Sequence, residues 1–210
     1  MRRGRSPWRW RHRRAWIERG STSARRNALV KVVSVTNNTV PLISLRPWAE
    51  QDLPLLERLM GDPAMTEYLG GPETAEKIRK RHQKYVEAKE TDHTRVFVVV
   101  ASPANTPAGS VVYWEREQNG QQVWEIGWST LPEFQGQGIA TMATQLAIEN
   151  ARTEKRHRYM HAFPSIDNTA SNAICRKLGF MLQGQDDFEY PKGHWMRCND
   201  WRLDLLVSSG

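Results

Sequence analysis

The segment LPEFQGQGIATMATQLA, residues 131–147, decides the fold, because two glycines stand two positions apart where an apolar helical pattern begins. Glycine inside a helix costs about 1 kcal/mol relative to alanine. Gly136 and Gly138 therefore indicate a turn at which another group approaches the backbone. The preceding segment VWEIGWST, residues 123–130, is predicted to be a strand. A strand, a glycine turn and a helix in this order favour anion binding, because the helix start presents unpaired N–H groups and a positive dipole end.

The turn lacks the two commonest phosphate-binding motifs. No Gly-Lys-Ser/Thr sequence follows the glycines, so the segment is not a Walker loop. The dinucleotide fingerprint G-x-G-x-x-G also fails, because Thr141 occupies the position of its third glycine. A plain strand-to-helix turn would show the same local pattern, so the surrounding sequence has to decide between a simple turn and a phosphate site.

Strand and helix patterns alternate along the rest of the chain. Strand patterns occupy residues 42–48, 94–102, 110–117, 123–130 and 158–164, with a turn at 103–109, and two more strands are predicted before residue 206. Helical patterns cover the leucine-rich segment that ends at Gly61 and residues 70–90, 138–153 and 168–180. This order predicts an α/β (α+β) fold over residues 41–206, a layered domain with a mixed central β-sheet flanked by helices.

Residues 1–40 differ from the rest of the chain in composition. Residues 1–26 contain ten arginines and one acidic residue, Glu18, whereas residues 27–210 contain 20 basic and 22 acidic residues. We predict a mostly disordered basic extension over residues 1–40. Arginines interleaved with tryptophans would suit nucleic acid, an anionic membrane or a transit peptide. A dispensable extension is the alternative, and nucleic-acid binding is expected only through residues 1–26.

Composition argues against two further classes of protein. No stretch of 18 apolar residues is present, so no membrane-spanning helix is expected. The two cysteines, Cys175 and Cys198, are far apart, and no Cys/His cluster has metal-ligand spacing, so no metal site is predicted. Reduced thiols in a cytoplasmic protein are the expectation, and a disulfide between the two cysteines is the alternative.

Three segments, taken together, point to one family. QGQGIA, residues 135–140, is similar to the Q/R-x-x-G-x-G/A pyrophosphate loop of the GNAT superfamily of N-acetyltransferases, within a longer stretch that resembles its central strand, loop and helix. FPSIDNTASNAICRKLGF, residues 163–180, is similar to the N-x-x-S…KLGF segment of the ribosomal-protein and aminoglycoside-type branches. LISLRPWAEQDLPLLERL, residues 42–59, resembles the opening strand and helix of the same branch.

This resemblance implies acetyl-coenzyme A (acetyl-CoA) as cosubstrate. Backbone N–H groups around the turn would bind its pyrophosphate, from Gln135, Gly136, Gln137, Gly138, Ile139 and Ala140, with Thr141 beyond them. Thr130 and Leu131, at the end of the central strand, would diverge from the neighbouring strand and hydrogen-bond the pantetheine arm. Asn168 would hydrogen-bond the coenzyme and is also a candidate N-cap of the following helix.

Acetyl transfer to an amine needs a base for the ammonium and a proton donor for the leaving thiolate. Glu125 matches by position the strand glutamate that serves as base in the histone-type branch, although strand glutamates usually face solvent. Ser171, the serine of N-x-x-S, is the expected proton donor. Many members have a tyrosine four residues after this serine, where the chain has Cys175. A water or Cys175 itself is the alternative donor, but we expect Cys175 to be a buried core residue.

The acceptor is expected to be a primary amine, either a small amine such as a polyamine or an aminoglycoside, or a protein N-terminus. Acidic side chains at Glu125, Asp186, Asp187 and Glu189 favour a cationic acceptor. A solvated hairpin explains the two aspartates equally well, and is preferred for them.

Aromatic side chains and histidines receive more general assignments. Trp124 is expected in the core, whereas Trp128 and Trp195 are candidates for the wall of the acceptor pocket. No chemistry is assigned to His157 or His161.

The sequence therefore predicts a cytoplasmic N-acetyltransferase in which the amine attacks acetyl-CoA directly in a ternary complex. Because dimers are common in the superfamily, a homodimer is one option. The alternative function is a non-catalytic acyl-CoA-binding protein, or a nucleic-acid-binding protein that uses the arginine-rich extension.

Overall fold

The computed structural model describes residues 42–88, 93–189 and 193–207, and the extension predicted over residues 1–40 lies outside them. The strands are β1 (Ile43–Pro47), β2 (Thr94–Ala101), β3 (Thr106–Gln118), β4 (Gln121–Thr130), β5 (Tyr159–Ala162), β6 (Met181–Glu189) and β7 (Trp195–Asp204). The helices are α1 (Leu53–Gly61), α2 (Ala75–Glu87), α3 (Ile139–Glu154) and α4 (Thr169–Lys177).

Within the described residues the strands form one mixed sheet in the order β1-β2-β3-β4-β5-β7-β6. Strands β4 and β5 are parallel, and the other neighbouring pairs of this sheet are antiparallel. The predicted order of elements and the mixed central sheet with flanking helices are confirmed.

Strand β3 begins earlier than the sequence predicts. Residues 103–109 were expected to form a turn, whereas the structure starts β3 at Thr106. The pairing of β3 with β2 shifts register between Val99 and Val100, which leaves Ala108 as an extra residue in β3. This bulge accommodates Pro107 inside the strand, because a proline has no N–H to donate to a regular ladder.

Apolar side chains cover both faces of the sheet. Successive side chains of the apolar strand β3 point to opposite faces, so both faces have to be buried. Helices α3 and α4 pack on one face, over a cluster that includes Tyr113 and Trp124. Helices α1 and α2 pack on the other face, over a cluster that includes Trp48, Val112 and Trp114. Trp124 is fully buried, which confirms its predicted place in the core.

The parallel strands β4 and β5 pair over a very short distance. Their ladder consists of Trp124 opposite Met160 and Glu125 opposite His161. Strand β4 continues to Thr130 alongside β3, whereas β5 ends at Ala162. The sheet therefore opens between β4 and β5 beyond Glu125.

Backbone groups of β4 face this opening at alternate positions. The Leu131 N–H donates to the Ala108 carbonyl at 2.8 Å, so this amide is directed toward β3. Along an antiparallel strand, the N–H and C=O groups of successive residues point alternately toward one neighbouring strand and away from it. The N–H and C=O groups of Trp128 and Thr130 therefore point away from β3. These groups line the edge of β4 that β5 leaves uncovered.

Strand β3 holds the end of β4 very closely at Gly109. A Cβ atom built on Gly109 would lie 2.1 Å from the carbonyl oxygen of Ser129 and 3.0 Å from the Cα of Thr130. Both contacts are to backbone, which cannot move aside as a side chain can. Gly109 is therefore required by the close approach of the two strands.

Asn172 in α4 fixes the turn between β5 and α4. Its Nδ2 donates to the Ser165 and Asn168 carbonyls, each at 2.8 Å. Its Oδ1 accepts from Asn199 Nδ2 at 2.7 Å and from Trp201 Nε1 at 2.8 Å, both on β7. The buried amide of Asn172 thus uses all of its main hydrogen-bonding positions to join three elements.

Replacing Asn172 with leucine should destabilise the fold, because Trp201 Nε1 would lose its acceptor in the interior. One buried polar group left unpaired costs about 1–3 kcal/mol, and we expect at least that loss in the free energy of unfolding from urea denaturation. Gln83→Leu is the matched control, since Gln83 is an exposed amide on α2. Equal stability of Asn172→Leu and Gln83→Leu would contradict the anchoring role.

Candidate active site

The glycine turn between β4 and α3 has the geometry of an open anion site. Gly136 and Gly138 have φ values of +73° and +78°, in the left-handed region that glycine tolerates best. A Cβ added at either position would meet no atom within 4 Å, so the space in front of the turn is open. The local sequence thus places two unhindered backbone positions at the start of α3.

The start of α3 leaves several N–H groups without an acceptor inside the helix. The N–H of Met142 donates to the Gly138 carbonyl at 3.1 Å, one helical turn into α3. The N–H groups from Gly138 to Thr141 precede it, at the positive end of the helix dipole. This arrangement attracts an anionic group to the turn.

The two glutamines of the turn hold its shape with their side chains. Gln135 Nε2 donates to the Thr130 carbonyl at 2.9 Å, and Gln137 Nε2 donates to the Glu133 carbonyl at 2.9 Å. The backbone N–H of Gln135 donates to the Pro132 carbonyl at 3.2 Å. Gln135 was expected to offer that N–H to the pyrophosphate, so the structure directs it elsewhere and limits the open N–H groups to the residues that follow.

A cavity of about 410 Å³ occupies the opening between β4 and β5. It reaches from Ala140 near the start of α3 to Asn168 and Ser171 at the start of α4. Glu125 and Thr130 line it from β4. Residues that are distant in sequence but were predicted to share one site therefore do line one cavity.

Glu125 lies at the inner end of this cavity, where it is 5% exposed. Arg116 Nη1 on β3 donates to its Oε2 at 2.7 Å. Burial raises the pKa of Glu125 above its usual range, and the positive charge of Arg116 opposes this shift. The Arg116 guanidinium stacks over the Phe163 ring at 4.4 Å and lies 5.2 Å from the Phe188 ring, which keeps it in place. The alternative of a solvent-facing glutamate is therefore wrong.

A buried histidine–aspartate pair lies beside Glu125. His161 Nδ1 is 2.6 Å from Asp200 Oδ1, and Gln118 Nε2 donates to Asp200 Oδ2 at 3.2 Å. The parallel register places His161 directly opposite Glu125. Sequence reasoning assigned no chemistry to His161 and missed this pair. The register of the two central strands, had it been worked out, would have brought His161 next to Glu125.

Ser171 and Asn168 form the other wall of the cavity. The Ser171 N–H donates to Asn168 Oδ1 at 2.9 Å, so the predicted N-cap of α4 is present. Ser171 is partly buried and lines the cavity together with Asn168. The anchoring of α4 by Asn172 fixes both side chains relative to β4.

The cysteines occupy two different places, and both are free thiols. Cys175 is fully buried in the apolar cluster beneath α3 and α4, as expected for a core residue. Cys198 is also buried but lines the cavity. Burial raises the pKa of each thiol to about 12. The alternative of Cys175 as a proton donor to the site is disfavoured, because Cys175 does not reach the cavity lining.

Two other residues predicted to belong to the site, Leu131 and Trp195, lie outside the cavity lining. Leu131 is buried with the α1–α2 cluster, and its carbonyl accepts from the Phe134 N–H at 2.9 Å. Since its own N–H is bound by Ala108, Leu131 has no backbone group directed at the opening. Trp128 lines the cavity, whereas Trp195 is 52% exposed and lies outside the lining.

The acidic residues of β6 also lie outside the cavity lining. Asp186 and Asp187 are exposed on a strand at the edge of the sheet, as expected for a solvated hairpin. Glu189 accepts a hydrogen bond from the Gly193 N–H at 2.9 Å, so its carboxylate has a backbone partner outside the cavity. Of the four acids expected around the acceptor, Glu125 alone is among the residues that line the cavity.

Two further properties concern the described parts of the chain. No helix there is both long and apolar enough to cross a membrane. No group of three or more His, Cys, Asp or Glu side chains within residues 42–88, 93–189 and 193–207 is arranged to hold a metal ion.

Comparison with known families assigns the chain to one of them. The family described as the Acetyltransferase (GNAT) domain matches residues 43–181, which is most of the chain. The protein therefore belongs to the GNAT family of acetyltransferases, which confirms the predicted family and class of enzyme. A curated relative, the uncharacterized N-acetyltransferase YnaD of Bacillus subtilis (strain 168), is 26% identical over 117 residues. The match covers 56% of this chain and 65% of YnaD, less than two thirds of that relative.

Solved structures of acetyltransferases share the fold. A GNAT-family acetyltransferase from Bacillus anthracis has a TM-score of 0.66 and 22% identity, covering 79% of this chain and 96% of that one. An acetyltransferase from Salmonella typhimurium that modifies the N-terminal serine of ribosomal protein L7/L12 has a TM-score of 0.66 and 24% identity, over 80% and 96%. The spermidine N-acetyltransferase of Vibrio cholerae has a TM-score of 0.66 and 18% identity, over 79% and 98%. At these identities the likeness establishes the fold.

Both cysteines should resist modification in the folded protein. At pH 8 a thiol whose pKa is raised to about 12 stays almost entirely protonated, and both thiols are also buried. We expect no rapid reaction with an aromatic disulfide reagent in native buffer and the reaction of both thiols in urea. Rapid stoichiometric reaction of the native protein would show that one cysteine is accessible.

Proposed function

We propose that residues 41–206 transfer the acetyl group of acetyl-CoA to a primary amine. One observation carries this proposal: the open start of α3 and the gap between β4 and β5 meet in a single cavity that also contains Glu125 and Ser171. An anion site, an uncovered strand edge and a buried carboxylate are the three features that the reaction needs from the protein.

The residues present fit acetyl-CoA, because the space before Gly136 and Gly138 is open and the cavity extends inward from it. The N–H groups from Gly136 to Thr141 would hold the pyrophosphate. The backbone groups of Trp128 and the N–H of Thr130 on the uncovered edge of β4, with Asn168 opposite, would hold the pantetheine arm. Acetyl-CoA supplies the activated acyl group as a thioester.

Glu125 is the proposed base. An alkylammonium has a pKa of about 10.4 and must lose a proton before its nitrogen can attack. Burial makes Glu125 a stronger base than an exposed glutamate, since it raises the pKa of the carboxyl group. The positive charge of Arg116 opposes that shift in the pKa.

Ser171 is the proposed proton donor on the opposite wall. An ammonium loses two protons on becoming an amide: Glu125 would take the first, and the second would replace the proton that the donor gives to the thiolate. The Ser171 hydroxyl, which lines the cavity, would pass its own proton to the departing thiolate and take up the second proton of the amine, with a water as the alternative donor. Holding both reactants in one cavity can itself lower the barrier by about 7–11 kcal/mol.

The acceptor is either a small amine or a protein N-terminus. The structures that resemble this chain include a ribosomal-protein N-terminal acetyltransferase and a spermidine N-acetyltransferase, and both are less than 25% identical to it. Their acceptors therefore define a panel of candidates for this protein.

Free-thiol release from acetyl-CoA tests the proposal directly. The full-length protein would be assayed with aminoglycosides, polyamines, amino-acid amides and ribosomal N-terminal peptides, and release with one class of amine is the expected result. No release, with a melting temperature raised by acetyl-CoA, would favour a non-catalytic acyl-CoA-binding protein. Absence of both would overturn the proposal and favour the nucleic-acid-binding alternative, which depends on residues 1–26.

Substitution of Glu125 by glutamine should lower kcat by about 10²–10⁴-fold, the usual contribution of a general base. Coenzyme affinity should change little, since Glu125 lies at the inner end of the cavity. A base acts when deprotonated, so wild-type kcat/KM should fall as the pH drops through the raised pKa of Glu125, and the variant should lose this fall. Glu117→Gln, an exposed isosteric change on β3, is the control. Unchanged kcat in Glu125→Gln would remove Glu125 from the mechanism.

Substitution of Gly138 by valine should weaken binding of CoA by about tenfold or more, equal to about 1.4 kcal/mol of lost binding free energy. The new side chain would occupy the open space before the turn and strain a backbone with φ of +78°. Gly120→Val is the matched control: Gly120 has φ of +80° and open surroundings, but lies in the β3–β4 hairpin at the opposite end of β4. Titration calorimetry gives both dissociation constants, and equal weakening by the two variants would argue against the pyrophosphate role.

A further inference from the structure

The wall of the cavity on the acceptor side is mainly apolar. On the face of the sheet that bears Glu125, it is formed by Tyr68, Leu69, Phe163, Phe188 and Met196. Aromatic side chains offer large apolar contact surfaces, about 150–250 Å² each when buried. Such a wall stabilises an apolar group of the substrate and provides few partners for additional charged groups.

Carboxylates are scarce in the same cavity. Among the residues that line it, Glu67 and Glu125 are the acidic ones. Glu67 is exposed in the segment between α1 and α2, so it belongs to the rim. Asp186 and Asp187 face solvent on β6 and do not contribute to the lining. The interior of the cavity therefore offers one carboxylate.

The charge of that carboxylate is already balanced. Arg116 Nη1 lies 2.7 Å from Glu125 Oε2, and its guanidinium is fixed against Phe163 and Phe188. A polyamine or aminoglycoside would bring several ammonium groups into a site whose inner acidic group has a partner. Each buried charge without a partner costs several kcal/mol. The cavity thus disfavours polycations and favours a substrate with a single amine.

We propose that the acceptor carries one amine directly beside an apolar group, an inference that rests on the function proposed above. Two sources share this chemistry: an arylalkylamine, and a peptide or amino-acid amide whose first side chain is apolar. The amine would approach Glu125 while the apolar group packs against Phe163, Phe188 and Met196. The α-amine of a peptide has the further advantage that its pKa, about 7.7–8.0, leaves a large neutral fraction at neutral pH.

Binding and turnover should be measured separately on the full-length protein. Calorimetry in the presence of CoA would compare phenethylamine, phenylalanine amide and a peptide beginning with phenylalanine against spermidine and kanamycin, and thiol release from acetyl-CoA would follow for each. We expect the apolar monoamines to exceed the polycations by about tenfold or more in affinity and in kcat/KM, a difference of at least about 1.4 kcal/mol. The preferred monoamine identifies the source.

A variant of the cavity wall should change the preference between spermidine and phenethylamine in a defined direction. Met196→Glu adds a carboxylate to the apolar wall and should raise kcat/KM for spermidine relative to phenethylamine. Gln183→Glu adds the same charge at an exposed position of β6 outside the cavity, and should leave the ratio unchanged.

The outcomes separate the two proposals. Tighter binding of the apolar monoamines without thiol release would support this acceptor chemistry and overturn acetyl transfer. Thiol release with a preference for spermidine or kanamycin would support transfer and overturn the acceptor inference. Failure of every apolar monoamine to bind would also overturn it.

Discussion

The short parallel ladder between β4 and β5 is the constraint on which the site depends. The two strands share two residue pairs, the second being Glu125 opposite His161, and then separate. This separation of β4 from β5 creates the cavity and uncovers backbone groups of β4. It also leaves Glu125 at the last position where the two strands pair. A longer ladder would have satisfied these backbone groups and closed the space. The sheet thus gives up hydrogen bonds at its centre, where a sheet is normally continuous, and gains room for two reactants.

Polar side chains inside the sheet are paired with one another across neighbouring strands. Glu125 is bound by Arg116, and His161 by Asp200, on neighbouring strands of one buried layer. Breaking a buried ion pair by removing one partner costs about 3–5 kcal/mol, more than a surface pair contributes. The basicity of Glu125 therefore reflects both its burial and the arginine packed against the rings of Phe163 and Phe188. The proposed preference for a single amine rests on the same balance, because a carboxylate with a partner attracts a polycation weakly.

Local sequence patterns predicted the parts of the site that are local, and missed those that depend on register. The glycine turn, the Asn168 N-cap and the burial of Cys175 each follow from a few neighbouring residues and a general preference. The links from Arg116 to Glu125 and from His161 to Asp200 cross strands, so no spacing along the chain reveals them. The solvated hairpin preferred for Asp186 and Asp187 agrees with the structure, where both are exposed on the edge strand β6. Leu131 was predicted to face the gap between β4 and β5, but strand alternation decides which backbone N–H groups do so. A step of one residue along β4 reverses the direction of the N–H, and that of Leu131 points to β3.

Gly109 shows how a residue that touches neither reactant can set the dimensions of the site. It lies on the side of β4 away from the opening, against the carbonyl of Ser129 and the Cα of Thr130. Any larger side chain would push the end of β4 toward β5 and narrow the gap from behind. Natural variation at this position would alter the cavity while every residue lining it stays the same. Comparisons of specificity among related chains that consider pocket residues alone would overlook such a change.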